Sequence, residues 1–329
     1  MILVTGGAGF IGSALISELN RLGLTNIVIV DRLGDSTKWK NLKELKFYEY
    51  FPVEDFFQSG MIEDLFKELD FVFHLGACSA TTEMNMDYLM SNNVDFSKNL
   101  LAYASENKVP FVYASSAATY GAGEIGYEDD ESKVPLLRAL NPYGYSKQLL
   151  DEWVLQNRDK FDRWYGLKFF NVFGPNEYHK GEMRSLVHKA FGQIQETGKV
   201  KLFKSHREGF KDGEQLRDFI YVKDAVNAMI ELMRNAEAQS GLYNLGTGQA
   251  RSFKDLAKAT FKAMGKTENI EYIPMPESIR DQYQYYTQAS MDRLKSQCPG
   301  LSFHSLEDAV KDYVQSYLLS ENQHLSYLK

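Results

Sequence analysis

The first twelve residues place an apolar run directly before a cluster of glycines, and apolar residues continue behind it at helical spacing. This order predicts a β-strand, a tight loop and a helix, with Gly6 at the turn, Gly9 where the backbone approaches a ligand and Gly12 where the helix packs on the strand. The positive N-terminal end of that helix would face a diphosphate group. The chain is therefore expected to bind a nucleotide cofactor.

An acidic residue ends the second predicted strand. Asp31 follows the apolar run 27–30, about twenty residues beyond the glycine loop, where an adenosine ribose would present its hydroxyl groups. Asp31 alone favours NAD. Two cations, Arg32 and Lys38, follow closely and suit the 2′-phosphate of NADP. We predict NADP as the cofactor, with NAD as the alternative.

Length and composition narrow the class of protein. The 329 residues allow one large domain or two, and 44% hydrophobic residues are typical of a globular protein. The net charge of −7 disfavours nucleic acid or an anionic membrane as a general partner. Because no basic region precedes the first strand and no apolar run reaches about 18 residues, we expect a cytoplasmic protein without a membrane partner.

The chain contains two cysteines, Cys78 and Cys298. They are far apart and lack the spacing of metal ligands, so no metal site is expected. Reduced thiols in a cytosolic setting are the favoured interpretation, and the sequence leaves a disulfide open.

Further apolar runs alternate with helical patterns along the first half of the chain. Strands are predicted at 71–73, 111–114 and 167–170, and helices at 61–69, 88–107, 144–157 and 183–197. This alternation predicts a Rossmann doubly wound parallel sheet of the α/β class. After residue 171, a Gly-Pro pair, a polar loop at 205–215 and two further prolines are typical of a smaller α/β lobe.

This pattern suggests a division of labour between two parts of the chain. Residues 1–168, with returning segments near 218–240 and 287–308, are expected to form the dinucleotide-binding domain. Residues 169–217, 241–286 and 309–329 are expected to form the substrate-binding lobe. The substrate would bind between the two.

A tyrosine and a lysine four residues apart are the candidate catalytic pair. At this spacing Tyr143 and Lys147 share one face of a helix, whereas Tyr145 faces elsewhere. A nearby ammonium lowers the pKa of a phenol, so Tyr143 could accept a hydroxyl proton. Ser116 ends a predicted strand and could hydrogen-bond the same reacting oxygen.

Three motifs in this order carry a family resemblance: Thr-Gly-x-x-Gly-x-x-Gly at residues 5–12, Ser-Ser-Ala-Ala-Thr-Tyr-Gly at 115–121 and Tyr-x-x-x-Lys at 143–147. Together they resemble the extended short-chain dehydrogenase/reductase superfamily, which acts largely on nucleotide sugars. Further motifs at 76–83, 170–175, 179–181, 217–219 and 243–248 are similar to those of the ADP-L-glycero-D-manno-heptose 6-epimerase family. The similarity runs essentially from end to end.

The resemblance implies an isomerase that acts on ADP-D-glycero-β-D-manno-heptose for the biosynthesis of the lipopolysaccharide core. NADP would oxidise the exocyclic C6, the side arm would rotate, and the same cofactor would return the hydride to the other face. Because the reacting oxygen moves on rotation, one base does not serve both poses, and Lys180 is similar to the family's second acid/base. Members of the family form homo-oligomers, commonly pentamers.

The resemblance and the residue patterns together give a set of candidate site residues. The catalytic set is Tyr143, Lys147, Lys180 and Ser116. The cofactor set is Gly6, Gly9, Phe10, Ile11, Gly12, Asp31, Arg32, Lys38, Leu75, Gly76, Ala77, Cys78, Ser79, Asn92, Tyr143, Lys147, Val172 and Lys180. The substrate set is Ser116, Asn171, Glu182, Lys189, Phe203, Arg217 and Tyr283.

The chain departs from the family pattern at several of these positions. Arg32 stands where the family has asparagine, and Val53 stands where a lysine would assist the 2′-phosphate. Glu182 replaces a small serine, and Lys189 replaces a histidine. The loop 205–215 is longer than the family's.

Two other functions are alternatives. A UDP-glucose type 4-epimerase shares the Ser, Tyr and Lys residues, whereas a 4,6-dehydratase needs an Asp-Glu pair where Ala117 and Ala118 stand. The segment His179, Lys180, Gly181 distinguishes the 6-epimerases. A dinucleotide-sensing regulator without turnover is the other class, and such proteins usually lack the Tyr-Lys pair that this chain keeps.

Overall fold

The computed structural model describes residues 1–58, 60–280 and 283–327. The strands in this part of the chain are β1 (Ile2–Thr5), β2 (Ile27–Asp31), β3 (Glu49–Pro52), β4 (Phe71–His74), β5 (Phe111–Ser116), β6 (Trp164–Phe169), β7 (Asn171–Phe173), β8 (Val200–Phe203), β9 (Leu216–Tyr221), β10 (Gly241–Leu245), β11 (Ala250–Ser252) and β12 (Ile270–Ile273).

The α-helices are α1 (Phe10–Arg21), α2 (Val53–Phe56), α3 (Ile62–Lys67), α4 (Met86–Leu89), α5 (Phe96–Glu106), α6 (Pro142–Asn157), α7 (Leu186–Thr197), α8 (Val222–Arg234), α9 (Phe253–Ala263), α10 (Glu277–Arg280), α11 (Asp292–Gln297) and α12 (Leu306–Asp312). Short 3₁₀ segments are Thr37–Leu42, Ala117–Tyr120, Glu131–Leu136, Arg158–Lys160 and Tyr178–Met183, and π-helical turns are Met90–Asp95 and Tyr313–Leu318.

Seven of the described strands form one large parallel sheet with the order β10-β6-β5-β4-β1-β2-β3. Alternate residues of each strand enter two hydrophobic cores: Val4 and Ile29 belong to one, and Leu3 and Val28 to the other. Both faces of the sheet are therefore covered, as parallel sheets require. The predicted doubly wound α/β class is confirmed.

A smaller lobe carries two further sheets, β11-β9-β7 and β12-β8, with helices α7 and α9 packed together beside them. The boundary predicted at residue 241 is wrong by one strand, because β10 pairs in parallel with β6 at the edge of the large sheet. The chain thus returns to the large sheet before it builds the rest of the lobe. Residues 59, 281–282 and 328–329 of the predicted domains lie outside the described residues.

Capping residues explain where two predicted helices begin. Helix α6 begins at Pro142, two residues before its predicted start, because the Asn141 side chain accepts the Gly144 N–H and proline suits the first helical turn. Helix α7 begins later than predicted, at Leu186, because the Ser185 hydroxyl accepts the His188 N–H.

No helix in the described ranges is both long and apolar enough to cross a membrane. Cys78 and Cys298 are free thiols.

The first helix packs against the first strand at a contact that only glycine permits. A Cβ atom on Gly12 would lie 2.2 Å from the Gly6 carbonyl oxygen, and one on Gly6 would lie 2.7 Å from the Gly76 nitrogen. Gly6 also has a φ of +68°, which side-chain-bearing residues rarely adopt. These backbone contacts fix the start of α1 against the carboxyl ends of β1 and β4.

The Gly12 contact predicts a site-specific loss of stability. Gly12→Ala should lower the free energy of unfolding by roughly 1–3 kcal/mol, because the added methyl group meets backbone atoms. Gly192→Ala is the matched control, since Gly192 lies within α7 with no atom within 4 Å of the added Cβ. This control should gain about 0.5–1 kcal/mol. Urea unfolding measures both, and equal effects of the two substitutions would contradict the packing argument.

Candidate active site

A cavity of about 470 Å³ opens at the carboxyl ends of the central parallel strands. Its wall includes every residue of the predicted cofactor set except Val172. Val172 is half-buried on β7. The sequence motifs therefore come together in space around one cavity, although they are spread from residue 6 to residue 180.

The glycine loop leaves the start of α1 open toward this cavity. Gly9 occupies the N-cap position, and no side chain caps the helix there. The N–H groups of Phe10, Ile11 and Gly12 therefore have no carbonyl partner within the helix. Such a helix end is a binding site for a phosphate group, so the residues present fit the diphosphate of a dinucleotide.

Asp31 lines the cavity, and its carboxylate is held by three partners. Oδ2 accepts the Ala8 N–H at 2.8 Å, while Oδ1 accepts the Arg32 N–H at 2.6 Å and pairs with the Lys38 ammonium. The Arg32 guanidinium in turn pairs with Glu54, and this hydrogen bond raises the pKa of Arg32. Two cations and two carboxylates thus lie together at this part of the cavity.

Tyr143 and Lys147 point from one face of α6 into the cavity. Burial raises the pKa of Tyr143, and a hydrogen bond with Ser116 opposes this rise. Burial lowers the pKa of Lys147 to about 8, and its ammonium donates to the Ala114 carbonyl at 2.8 Å. The predicted pairing of a phenol with an ammonium on one helix face is present, and Ser116 lies next to the phenol.

Lys180 enters the same cavity from a different element, the 3₁₀ segment Tyr178–Met183 that follows β7. Its ammonium lies 5.5 Å from the centre of the Phe10 ring. Burial lowers the pKa of Lys180, while the charge of Glu177 opposes this shift. Tyr143 on α6 and Lys180 on the segment after β7 are thus two titratable groups of the cavity wall that lie on different elements.

Three of the predicted substrate residues lie together in the smaller lobe. The Arg217 guanidinium is 6% exposed and lies 5.1 Å from the centre of the Tyr283 ring, whose centre is 6.4 Å from that of Phe203. Among the described residues, no carboxylate forms an ion pair with Arg217, and burial lowers its pKa. A buried guanidinium of this kind is suited to an anionic ligand.

None of the seven predicted substrate residues, Ser116 and Arg217 included, lines the cavity. Asn171 is exposed at the start of β7. Glu182 and Lys189 form an ion pair with each other at 3.3 Å, and the Lys189 ammonium also donates to the Glu182 carbonyl at 2.5 Å. Glu182 and Lys189, which both depart from the family pattern, therefore carry opposite charges that neutralise each other.

Several residues of the cavity wall were not predicted from the sequence. They are Thr5, Val30, Val53, Ala80, Tyr88, Phe96, Ala114, Ser115, Phe169, His179 and Met183. Thr5, Val30, Ala114 and Ser115 lie at the carboxyl ends of strands, so strand position alone could have identified them. Tyr88 and Phe96 lie in and after a helix interrupted by a π turn, and no local pattern places them here.

Comparisons with known proteins identify the family of the chain. The model of the NAD dependent epimerase/dehydratase family matches residues 2–246. A protein of Fusobacterium nucleatum named ADP-L-glycero-D-manno-heptose-6-epimerase is 47% identical over 333 residues, which cover 99% of this chain and 100% of that protein. The crystal structure of the Helicobacter pylori ADP-L-glycero-D-manno-heptose-6-epimerase has a TM-score of 0.81 at 32% identity, covering 96% of this chain and 95% of that one.

MoeE5, solved in complex with UDP-glucose and NAD, has a TM-score of 0.73 at 26% identity and covers 95% of this chain and 97% of its own. The fold and the site thus define a dinucleotide-dependent enzyme, and the chain belongs to the NAD dependent epimerase/dehydratase family. Its full-length relatives carry the name of an isomerase, the ADP-L-glycero-D-manno-heptose-6-epimerase. The resemblance predicted from the sequence motifs is confirmed.

His74 is a buried histidine that contacts Thr5, the residue before the glycine loop. His74 Nδ1 lies 2.7 Å from the Thr5 hydroxyl, and Nε2 lies 2.6 Å from the Ser97 hydroxyl. The Thr5 hydroxyl oxygen also accepts the Gly76 N–H at 3.0 Å. Burial lowers the pKa of His74 to about 3, so the ring stays neutral in the folded protein.

The lowered pKa of His74 predicts that the free energy of unfolding depends on pH. Below pH 6.5 the unfolded chain protonates His74 while the folded chain does not, so the free energy of unfolding falls as the pH drops toward 3. The limiting contribution of this residue is about 1.4 kcal/mol per pH unit. His74→Asn should be less stable at neutral pH but lose less stability on acidification. Parallel pH profiles of the two proteins in urea unfolding would contradict the assignment.

Proposed function

We propose that this protein interconverts ADP-D-glycero-β-D-manno-heptose and ADP-L-glycero-β-D-manno-heptose at C6, with NADP as its bound cofactor. The observation that carries the proposal is the presence of two proton-exchanging side chains, Tyr143 and Lys180, on different elements of one cavity. The names of the full-length relatives support the choice of substrate. A role in supplying the heptose of lipopolysaccharide is the expected physiological use.

Epimerisation at an exocyclic carbon explains why two such groups would be needed. When bound, the dinucleotide would take a hydride from C6 and return it after the C5–C6 bond has rotated. Rotation carries the C6 oxygen to a different part of the cavity. Each position of that oxygen then needs its own proton acceptor and donor.

Tyr143 would exchange the proton in one of the two poses. The hydrogen bond with Ser116 favours the phenolate over the phenol, against the effect of burial on the pKa of Tyr143. The Lys147 ammonium donates to the Ala114 carbonyl, and this contact holds its charge near Tyr143 on the same face of α6. Ser116 would also hydrogen-bond the reacting oxygen.

Lys180 would exchange the proton in the other pose. Because burial lowers its pKa, the neutral amine needed for a base is easier to form than on an exposed lysine. The negative charge of Glu177 limits this lowering of the Lys180 pKa, because it favours the ammonium form. Glu177 is itself fixed by the Ser185 hydroxyl at 2.6 Å and the Tyr313 hydroxyl at 3.0 Å.

Arg217 would bind the diphosphate of the substrate. Its guanidinium is buried without a carboxylate partner among the residues described, and the rings of Tyr283 and Phe203 lie beside it. An anion there would gain a charge-assisted hydrogen bond at a site that is already desolvated. The adenosine would then lie in the smaller lobe and the heptose in the cavity.

The two-base assignment predicts loss of activity from two separate substitutions. Tyr143→Phe and Lys180→Met should each slow interconversion of the C6 epimers by roughly 10²–10⁴-fold, because each removes one proton-exchanging group. Bound dinucleotide should be retained in both. The measurement is the rate of conversion of each epimer, followed by NMR or chromatography.

Tyr145→Phe and Lys199→Met are the matched controls. Tyr145 lies on the same helix but is exposed and outside the cavity wall, and Lys199 pairs with Glu271 on the surface at 3.9 Å. Both controls should keep the full rate. Full activity of Tyr143→Phe or Lys180→Met would reject the assignment of that residue.

A ring 4-epimerase of the UDP-glucose type is the second candidate, because MoeE5 was solved with UDP-glucose. The same purified protein should therefore be incubated in parallel with ADP-D-glycero-β-D-manno-heptose and with UDP-glucose. The proposal expects turnover of the first alone. Turnover of UDP-glucose alone would replace the proposed function, and binding of dinucleotide with no turnover of either would favour a sensing role.

The preference for NADP over NAD depends on the charges around Asp31. A 2′-phosphate would lie near Arg32 and Lys38, whose partners are the carboxylates of Glu54 and Asp31. The phosphate must compete with these carboxylates for the two cations. Val53, which replaces the family's lysine, also lines the cavity and contributes no charge.

This competition predicts opposite effects of two substitutions on NADP binding. Arg32→Gln should weaken NADP by about tenfold or more and NAD much less, because a charge-assisted hydrogen bond is lost. Glu54→Gln should strengthen NADP, since it frees Arg32 and removes a like charge. Arg21→Gln, at the far end of α1 in an exposed pair with Glu18, is the control. Calorimetric titration measures the affinities, and equal losses for both dinucleotides in Arg32→Gln would contradict the proposal.

A further inference from the structure

A fully buried ion pair lies near the catalytic residues of α6, outside the cavity wall. The Asp151 carboxylate is 0% exposed, the Lys168 ammonium side chain is 1% exposed, and the two charged groups are 2.6 Å apart. Asp151 is on α6 and Lys168 is on β6, and neither lines the cavity. The proposed reaction, as described so far, uses neither of them.

Asp151 ties the catalytic helix to strand β5. Its carboxylate accepts the Tyr113 hydroxyl at 2.9 Å and the Ser115 hydroxyl at 2.7 Å. The Lys147 ammonium donates to the carbonyl of Ala114, which lies between these two residues. Because Tyr143, Lys147 and Asp151 are spaced by four residues, they share one face of α6. Asp151 thus anchors the same face that carries the proton-exchanging phenol.

Lys168 ties the ion pair to the turn that carries Ser116. Its ammonium donates to the Thr119 hydroxyl at 2.9 Å, and that hydroxyl donates to the Ser116 carbonyl at 2.9 Å. The ring of Tyr120 lies 5.2 Å from the same ammonium. One connected set of contacts therefore runs from α6 through the ion pair to the backbone of Ser116.

Folding alone gives little reason to keep this pair. Replacing a buried ion pair by apolar side chains of similar volume is often neutral or stabilising, because the charges no longer have to leave water. The charge of Asp151 also reaches the cavity, where it favours the ammonium of Lys147 and opposes the lowering of its pKa by burial. The pair is thus placed to affect both the geometry and the charge state of the catalytic residues.

We propose that Asp151 and Lys168 are positioning residues for the reaction: they fix Ser116, and the Ala114 carbonyl that holds Lys147, against Tyr143. The proposal rests on the proposed function for its kinetic consequence. Its structural part, the effect of Asp151 on Lys147, does not depend on which sugar is the substrate.

The test replaces both charges together, so that no unpaired charge is left buried. Asp151→Asn/Lys168→Met should lower kcat by roughly ten- to a hundredfold, since small misplacements of reacting groups have effects of this size. The KM and the affinity for dinucleotide should change by less than about threefold. Because Lys147 loses the support of Asp151, the alkaline limb of the kcat profile should move to lower pH. A folded variant with the wild-type kcat and pH profile would overturn the proposal.

A matched control carries the same two types of substitution at another ion pair. Lys223 and Asp312 lie 2.7 Å apart on α8 and α12, and neither helix contributes to the cavity wall. Lys223→Met/Asp312→Asn should therefore keep the wild-type kcat and pH profile. Equal changes in both double variants would mean that the buried pair acts only through general stability, which also overturns the proposal.

A second measurement separates this inference from the proposed function. Competitive acetylation of the wild type and the variants, followed by mass spectrometry, gives the pKa of Lys147 without any substrate. The proposal expects a lower pKa of Lys147 in Asp151→Asn/Lys168→Met, and in Asp151→Asn/Lys168→Gln, which keeps both positions polar and uncharged, if the first double variant does not fold. An unchanged pKa rejects the inference even if the heptose is turned over, whereas a lowered pKa without turnover rejects only the substrate assignment.

Discussion

The close contact among Gly6, Gly12 and Gly76 is the constraint on which the rest of the site depends. It places the first turn of α1 at the carboxyl edge of the parallel sheet, and backbone atoms alone fill the space between them. The open N–H groups of that turn then face the cavity, with Asp31 at one side and the catalytic helix α6 at the other. A side chain at any of these glycines would separate the loop from the strands that supply the remaining residues.

A second feature of the proposed site is that several of its cations are shielded from solvent. Lys147 and Arg217 are buried and Lys180 is half-buried, and removal from solvent lowers the pKa of each. Desolvated cations of this kind interact strongly with an incoming anion or a developing negative charge. Burial also raises the pKa of Tyr143, and the hydrogen bond with Ser116 opposes this rise and so favours the phenolate. The electrostatics of the cavity therefore suit a ligand that brings negative charge.

Features encoded by local spacing were predictable from the sequence, and features that join distant segments were not. The glycine loop, Asp31 at a strand end and the Tyr143 and Lys147 pair each follow from a pattern within one element. The return of β10 to the large sheet and the pairing of Arg32 with Glu54 depend on tertiary packing. The same holds for Asp151 and Lys168, since nothing in their separation along the chain indicates that two charges will be buried together.

In the proposed reaction, C6 of the heptose gives up one hydrogen to the bound dinucleotide and receives the same hydrogen on its opposite face. The most direct measurement uses ADP-D-glycero-β-D-manno-heptose deuterated at C6 in ordinary water, with the product analysed by NMR and mass spectrometry. We expect the deuterium to be retained at C6 of the L-glycero product. Loss of the label to solvent during turnover would contradict the claim and would point to exchange of a carbon-bound proton instead.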